Sequence, residues 1–285
     1  MPYKLGLIGY PVGHSLSPWI HGEFLQRANL KGTYEKYQIE PGETFGREIK
    51  ALMDSGIHGF NITVPHKETI IPYLDEVSDA AKVMGAVNTV VCENGVWTGH
   101  NTDGSGYVRS LHSDYPELAD TSRERTVLMI GAGGAARGIY YALIEAGYQT
   151  IDFANRTTAS AEEIAASRGG NITTQILTLT EAEENLANYD IIIQTTSVGM
   201  KPNENAQIMQ LNHVKPGAIV SDIVYQPLET QFLKQAKSLG ASIHFGHTML
   251  LYQAQYAFEI WTGKDVSAIG MGDELKQILE GASTC

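Results

Sequence analysis

Apolar positions along the first hundred residues follow two spacings in turn. Short runs of consecutive apolar residues are typical of buried strands, and apolar residues that recur every three or four positions are typical of helices. Ile20, Phe24 and Ala28 form a helical stripe behind Ser17-Pro18, which we interpret as an N-cap followed by proline at the first helical position. A second helical stripe starts at residue 45 and ends near residue 56, and strands are predicted over residues 4–9, 33–39, 59–64, 87–92 and 96–98, the last two joined by a type I′ turn at Asn94-Gly95.

A polar stretch from His112 to Arg125 marks the predicted junction between two lobes, and strands and helices alternate again after it. The pattern predicts an α/β fold with a mostly parallel sheet and one hairpin for the first lobe. The alternation of strands and helices in the second lobe is typical of a doubly wound, Rossmann-type nucleotide-binding domain. We expect the first lobe to cover residues 1–103 and to be completed by C-terminal helices over about 247–285, with the second lobe over 104–246. Strands of the second lobe are predicted over residues 126–130, 150–154, 190–195 and 218–223.

Composition and charge narrow the classes of partner. Hydrophobic residues make up 43% of the 285 residues, which is enough for two folded cores. The net charge of −12 repels nucleic-acid phosphates and anionic lipid headgroups, so we expect neither a nucleic acid nor a membrane as partner. Cys92 and Cys285 form neither a disulfide framework nor a metal site. No apolar run approaches the roughly 18 residues of a membrane span, and no signal-peptide pattern is present, so the expected location is the cytoplasm.

A glycine-rich turn after the first strand of the second lobe fits the pattern G-x-G-x-x-A. Glycines let the backbone approach a pyrophosphate, and the helix that follows offers free N–H groups and the positive end of its dipole. We therefore interpret the turn as a dinucleotide-binding site. It consists of Gly131, Ala132, Gly133, Gly134, Ala135 and Ala136.

The residues at the end of the next strand indicate which dinucleotide the site binds. NAD-binding units usually place an acidic residue there, on the ribose 2′-hydroxyl. This chain has Asn155-Arg156-Thr157 instead. An arginine pairs with a 2′-phosphate in bidentate fashion and stacks on the adenine, whereas a carboxylate would repel the phosphate. The predicted cofactor is therefore NADP.

Four polar motifs follow or flank elements of the first lobe, where ligands of open α/β sheets bind. Their hydroxyls, amides, one ammonium and one carboxylate suit a small polyhydroxylated substrate. The motifs are His14-Ser15-Leu16-Ser17, Asn61-Ile62-Thr63-Val64-Pro65-His66-Lys67, Ala86-Val87-Asn88-Thr89 and Asn101-Thr102-Asp103.

In their order along the chain, these motifs resemble the signature of the shikimate dehydrogenase family, and the resemblance extends from Ile8 to about Lys264. It implies an NADP-linked enzyme of aromatic amino-acid biosynthesis that reduces 3-dehydroshikimate to shikimate, with the active site in the cleft between two lobes. Further motifs that carry the resemblance are the glycine turn, Asn155-Arg156-Thr157, Thr196–Met200, Asp222–Pro227, Met249–Gln253 and Trp261–Gly263.

The resemblance also implies roles for individual residues. Lys67 and Asp103 correspond to the catalytic pair, which also contacts the substrate. Hydride delivery to a ketone builds negative charge on its oxygen, which an ammonium stabilises and protonates. Ser15 and Ser17 correspond to the hydroxyls that hold the substrate carboxylate, Thr63, Asn88, Tyr225 and Gln253 to further substrate contacts, Ile223 and Gly246 to contacts of the nicotinamide end, and Asp79 to an acidic position near the cofactor.

One position departs from the family pattern. Four residues after Arg156, where the family commonly has a second cation in the cofactor site, this chain has Ser160. That difference keeps open an NAD-linked quinate/shikimate dehydrogenase. A dinucleotide-binding sensor without catalysis is the alternative of another class, and it predicts the loss of Lys67 or Asp103, both of which are present. The sequence leaves open a monomer or a homodimer, and no spacing among its histidines indicates a metal site.

Overall fold

The computed structural model describes residues 2–167 and 172–282. The chain divides into two compact units, the first formed by Met1–Gly106 with Leu251–Ile269 and the second by Tyr107–Leu250 with Gly270–Cys285. Each unit has its own six-stranded sheet. The two-lobed α/β fold class is therefore confirmed.

The first unit is built on a mixed sheet in the order β2-β1-β3-β5-β6-β4. Strand β1 pairs in parallel with β2 and β3, the pairs β3–β5 and β5–β6 are antiparallel, and the edge strand β4 pairs in parallel with β6. The elements are β1 (Tyr3–Gly9), α1 (Ser17–Arg27), β2 (Gly32–Gln38), α2 (Phe45–Asp54), β3 (Gly59–Ile62), β4 (Glu76–Val77), α3 (Asp79–Met84), β5 (Thr89–Glu93), β6 (Val96–His100), the start of α4 (Asp103–Asp114) and, from Leu251, α10 (His247–Thr262), with a 3-10 helix over Ile71–Tyr73.

Two local predictions for this unit have different outcomes. The β5–β6 hairpin turns through Asn94 and Gly95 with φ of 53° and 84°, both positive as a type I′ turn requires. The prediction that Ser17 caps α1 is wrong. The N-cap is Leu16, which makes no side-chain cap, and Ser17 is the first helical residue. The carbonyl of Leu16 already accepts a helical hydrogen bond from Ile20, so the helix starts one residue earlier than a Ser17 cap requires.

The second unit has an entirely parallel sheet in the order β12-β11-β10-β7-β8-β9. Alternate residues of β7 enter two separate cores, Val127 and Met129 on one face and Leu128 and Ile130 on the other. Both faces are covered, as in a doubly wound fold. The elements are the rest of α4, α5 (Leu118–Thr121), β7 (Thr126–Ile130), α6 (Gly134–Glu145), β8 (Thr150–Ala154), α7 (Thr158–Ala166), β9 (Ile176–Leu177), α8 (Leu179–Asn185), β10 (Ile191–Gln194), β11 (Ile219–Asp222), α9 (Gln231–Ser238), β12 (Ser242–Phe245), the start of α10 and α11 (Met271–Ala282), with 3-10 helices over Ser122–Glu124 and Leu186–Asn188.

The boundaries between the units differ from the expected lobes at two places. The first division falls inside α4, between Gly106 and Tyr107, because Tyr107 is fully buried in the core of the second unit. The C-terminal helix α11 belongs to the second unit as well, where the ammonium of Lys276 lies 5.5 Å from the ring centre of Phe245. The sequence had assigned this helix to the first lobe.

Within the described residues, none of the helices is both long enough and apolar enough to span a bilayer.

Two buried histidines predict how stability depends on pH. The ring centres of His21 and Tyr34 are 4.3 Å apart in a stacked arrangement, and the ring of His244 is hydrogen-bonded to the hydroxyl of Ser221 through Nδ1 at 2.8 Å and to that of Ser110 through Nε2 at 2.7 Å. Burial lowers the pKa of both imidazoles from 6.5 to about 3. The unfolded chain therefore takes up these protons more readily, so their stabilising contribution is complete above pH 6.5 and is lost as the pH falls toward 3.

Between pH 7 and pH 5 we expect each imidazole to remove about 2 kcal/mol from the free energy of unfolding. Asp222, whose pKa burial raises to about 6, acts in the opposite direction and restores about 1 kcal/mol over the same interval. Urea titrations at the two pH values measure the net loss. His21→Gln should reduce the slope, whereas the same change at exposed His213 should not. Stability that stays level between pH 7 and pH 5 would contradict the buried, neutral state of these rings.

Candidate active site

Lys67 and Asp103 form the centre of a polar cluster in the first unit. Lys67 lies in the segment after β3, where its carbonyl accepts a hydrogen bond from the N–H of Val87 at 2.8 Å. Asp103 is the first residue of α4, and its N–H donates to the side-chain oxygen of Asn101 at 3.0 Å. The Nζ of Lys67 is 2.6 Å from Oδ2 of Asp103, and the side chains are 31% and 23% exposed. This partial exposure leaves the pair accessible to a ligand.

Asn88 orients the carboxylate from the other side. Its Oδ1 accepts a hydrogen bond from the backbone N–H of Thr102 at 2.9 Å, which fixes the direction of the amide. Nδ2 consequently donates to Oδ1 of Asp103 at 2.9 Å. Each oxygen of Asp103 thus has its own donor, Lys67 on one and Asn88 on the other, and the carboxylate is held in one orientation.

Gln253 joins this cluster from α10. Its Oε1 is 3.4 Å from Nδ2 of Asn88, and its carbonyl accepts a hydrogen bond from the hydroxyl of Thr102 at 3.0 Å. Gly106 permits the close approach of α4 and α10, because a Cβ at this position would lie 2.5 Å from the backbone nitrogen of Gln253. The structure therefore brings together four residues that the sequence predicts for the site, namely Lys67, Asn88, Asp103 and Gln253.

Ser15 and Ser17 form a second group of donors in the same unit. The hydroxyl of Ser15 donates to that of Ser17 at 3.2 Å and accepts the N–H of Ser17 at 3.2 Å. Ser15 is half-buried and Ser17 is buried. Thr63, which follows β3, is half-buried, and its N–H donates to the carbonyl of Ile8 at 2.9 Å.

The glycine turn of the second unit has the backbone that a dinucleotide requires. Gly131 adopts a φ of +106°, and a Cβ there would lie 2.7 Å from the hydroxyl oxygen of Thr195. Gly133 is the N-cap of α6 and makes no side-chain cap, and a Cβ on Gly133 or Gly134 would meet nothing within 4 Å. The turn therefore offers uncapped N–H groups and open space to a phosphate group. Ala132 and Ala135 are half-buried, and Ala136 is buried.

The segment after β8 presents the predicted cation to solvent. Arg156 and Thr157 are exposed, and the side chain of Asn155 donates to the carbonyl of Thr157 at 2.8 Å. Ser160 lies half-buried in the first turn of α7. An exposed guanidinium beyond the carboxyl end of β8 fits a cofactor that carries a phosphate on its ribose.

Tyr225, Ile223 and Gly246 also lie in the second unit. Tyr225 is half-buried after β11, and burial raises the pKa of its hydroxyl. A Cβ on Gly246 would lie 2.4 Å from the carbonyl oxygen of Ile223, so these two predicted contacts of the nicotinamide end are neighbours and a larger residue than glycine does not fit.

Comparison with known proteins identifies the family of the chain. Family models match residues 7–90 (shikimate dehydrogenase substrate binding domain), 116–225 (shikimate / quinate 5-dehydrogenase) and 246–268 (shikimate 5′-dehydrogenase C-terminal domain). A shikimate dehydrogenase (NADP(+)) from Oceanobacillus iheyensis is 53% identical over 281 residues, which are 99% of this chain and 100% of the relative. The chain belongs to the shikimate dehydrogenase family.

Solved structures that resemble this chain include complexes with NADP(H) and with NAD. Shikimate dehydrogenase from Thermus thermophilus in complex with NADP(H) and shikimate is similar with a TM-score of 0.84 and 32% identity, over 96% of this chain and 99% of that one. Quinate dehydrogenase from Corynebacterium glutamicum in complex with NAD is similar with a TM-score of 0.83 and 30% identity, over 98% and 99%.

Asn61, the first residue of the second polar motif, is buried and supports the two serines, a role that the sequence did not predict for it. Asn61 accepts hydrogen bonds on Oδ1 from the hydroxyl of Tyr34 at 2.7 Å and from Nε2 of His21 at 3.1 Å. Its Nδ2 donates to the carbonyl of Asn88 at 3.1 Å, and a hydrogen bond also links Tyr34 to Ser17. Asn61 therefore connects the serine group to the Lys67 cluster. The signals in the sequence were its place at the start of a polar motif and an asparagine inside an apolar strand.

Asp79 lies within residues 7–90, which match the substrate-binding domain of the family. It starts α3 and pairs with Lys82 at 3.3 Å, with side chains 93% and 63% exposed. Its proximity to a cofactor remains a prediction. Among residues 2–167 and 172–282, no three His, Cys, Asp or Glu side chains are grouped so as to hold a metal ion.

Proposed function

We propose that this chain is an NADP-dependent shikimate dehydrogenase, which catalyses the reversible reduction of 3-dehydroshikimate to shikimate in aromatic amino-acid biosynthesis. The observation that carries the proposal is the Lys67–Asp103 pair at 2.6 Å, fixed by Asn88, in a chain of which 99% aligns with a relative named shikimate dehydrogenase (NADP(+)). The substrate is a small molecule. The location in the cytoplasm and the oligomeric state, a monomer or a homodimer, remain predictions from the sequence.

Lys67 is the proposed acid in the direction of reduction. Its ammonium donates a hydrogen bond to the ketone oxygen and transfers a proton to that oxygen as negative charge develops on it. Asp103 holds the ammonium in place through Oδ2 and also accepts a hydrogen bond from a substrate hydroxyl. In the direction of oxidation the same amine, deprotonated, takes the proton back.

The remaining contacts are those that the family resemblance implies, and the chemistry of their side chains fits these roles. Ser15 and Ser17 offer two hydroxyls to the carboxylate, and Thr63, Asn88, Tyr225 and Gln253 offer donors and acceptors to the hydroxyl groups. Residues 131–136 would hold the pyrophosphate of NADP, and Asn155, Arg156, Thr157 and Ser160 would surround its 2′-phosphate, with Ile223 and Gly246 at the nicotinamide end. When bound, NADPH supplies the hydride.

Removing either serine hydroxyl should weaken binding of the carboxylate. Ser15→Ala or Ser17→Ala should raise KM for shikimate about 10- to 100-fold, because one hydrogen bond to a charged group contributes about 1.5–3 kcal/mol. Because Ser17 does not cap α1, the melting temperature of the Ser17→Ala variant should differ little from that of the unmodified protein. Ser55→Ala, which removes a hydroxyl bonded to the carbonyl of Leu52, is the matched control and should leave KM unchanged. A Ser17→Ala variant with altered melting temperature and unaltered KM would contradict the assignment.

Absorbance of the reduced nicotinamide tests the proposal directly. Purified protein should oxidise shikimate with NADP and reduce 3-dehydroshikimate with NADPH. A chain that binds NADP without either reaction is a sensor and not an enzyme. Ser160 favours, as a second candidate, an NAD-linked quinate/shikimate dehydrogenase, for which quinate and NAD would be the faster pair.

A further inference from the structure

The carboxylate of Asp222 joins three segments of the second unit at the end of β11. Its Oδ1 accepts hydrogen bonds from the N–H of Val224 at 2.9 Å and from Nε2 of Gln194 at 3.1 Å. Its Oδ2 accepts one from the hydroxyl of Thr230, the N-cap of α9, at 2.7 Å. Asp222 is completely buried, so its carboxylate forms its hydrogen bonds with groups of the protein.

Gln194 extends this connection to the loop after β10. Its Nε2 donates also to the carbonyl of Val198 at 3.1 Å, and its Oε1 accepts the N–H of Thr196. One carboxylate thereby fixes the backbone of two loops. We name them the β10 loop (residues 196–200) and the β11 loop (residues 223–226).

The strand order indicates which half of a dinucleotide these loops face. The glycine turn follows β7, and Arg156 follows β8 on one side of it, whereas β10 and β11 lie on the other side. A dinucleotide on a doubly wound sheet spans the point where the strand order reverses, with one nucleotide on each side. If Arg156 holds the adenosine half, the nicotinamide half lies over the β10 and β11 loops.

Stability does not account for a carboxylate at this position. Burial raises the pKa of Asp222 to about 6, so the ionised group lowers the stability of the fold at neutral pH. A buried charge that is costly to fold is better explained by the geometry it imposes on its neighbours.

We propose that Asp222 is a positioning residue, which holds the β10 and β11 loops in the arrangement that receives the nicotinamide half of the cofactor. The proposal rests on the proposed function for the identity of the cofactor, and it adds a residue to which neither the sequence motifs nor the family comparison assigned this role.

Binding measurements with two ligands test it. For Asp222→Ala, the Kd of NADP+ by isothermal titration should rise at least about tenfold. The Kd of adenosine 2′,5′-bisphosphate, which lacks the nicotinamide half, should stay within about twofold of the unmodified protein, a difference small on the same scale. Asp222→Asn keeps an oxygen for Val224 and should restore most of the affinity for NADP+.

Asp152→Ala is the matched control. Asp152 is also buried in the second unit, where it accepts hydrogen bonds from the N–H of Gln175 at 2.7 Å and the hydroxyl of Tyr189 at 2.9 Å. The Asp152→Ala variant should have a lower melting temperature, and its Kd values for NADP+ and for adenosine 2′,5′-bisphosphate should be unchanged. If Asp222→Ala does not fold, Gln194→Met, which removes the amide between carboxylate and loop, should show the same selective loss of NADP+.

The proposal would be overturned if the folded Asp222 or Gln194 variants bound both ligands with equally reduced affinity, or if the affinity for neither ligand changed. Its failure is distinct from failure of the proposed function. A protein that binds NADP+ but does not oxidise shikimate refutes the latter and leaves the binding comparison valid.

Discussion

Replacing Lys67 by alanine should lower kcat by about 10²- to 10⁴-fold and change KM for shikimate little. The reason is that the ammonium acts mainly on the charge that develops on oxygen in the transition state, while the serine hydroxyls and the amides still hold the substrate. Steady-state kinetics in both directions measure the split between kcat and KM. Asp103→Asn should lower kcat as well, since the amide is a poorer partner for the ammonium that it holds at 2.6 Å.

Lys82→Ala provides the control for removing a lysine from the first unit. Lys82 pairs with Asp79 at 3.3 Å on the surface, and such exposed pairs contribute little. The variant should keep the kinetic constants of the unmodified protein. A folded Lys67→Ala enzyme that retains most of its kcat would exclude Lys67 from the proton transfer.

Arg156→Ala should abolish the preference for NADP over NAD, mainly by raising KM for NADP. The expected preference of the unmodified protein is about 10- to 100-fold in kcat/KM, because Arg156 supplies one charge-assisted contact and Ser160 supplies no second cation. Use of NAD should change little. Added salt should reduce the preference, since Arg156 is exposed to solvent.

Two further variants complete this test. Arg123→Ala removes another exposed arginine of the second unit and should leave the preference unchanged. Ser160→Arg should widen the preference by restoring a second cation in the first turn of α7. If the unmodified protein works faster with NAD than with NADP, the interpretation of Arg156 is wrong and the quinate/shikimate alternative gains support.

Predictions from the sequence succeed where the information is local. The hairpin at Asn94-Gly95 depends on two residues that tolerate positive φ, and the turn has that geometry in the structure. The glycine turn at residues 131–136 follows its strand and opens its helix, as the pattern predicts. Lys67 and Asp103 lie 36 positions apart, and their pairing was implied by the family resemblance and not by spacing alone.

The remaining features depend on contacts between distant segments. Serine is a residue type that commonly caps helices, but the N-cap of α1 is Leu16 and Ser17 is already helical. The hydroxyl of Ser17 is hydrogen-bonded to that of Ser15 instead. The link from Tyr34 through Asn61 requires β2, β3 and α1 to be assembled. Helix α11 belongs to the second unit through tertiary packing, which the sequence of the helix alone does not specify.

The most direct test of the central claim is a comparison of kcat/KM for four pairs, shikimate or quinate with NADP or NAD, using the purified full chain. We predict that shikimate with NADP is the best pair, about 10- to 100-fold above shikimate with NAD, because one charge-assisted contact at Arg156 separates the cofactors. Absence of nicotinamide reduction with all four pairs, or the highest kcat/KM for quinate with NAD, would contradict it.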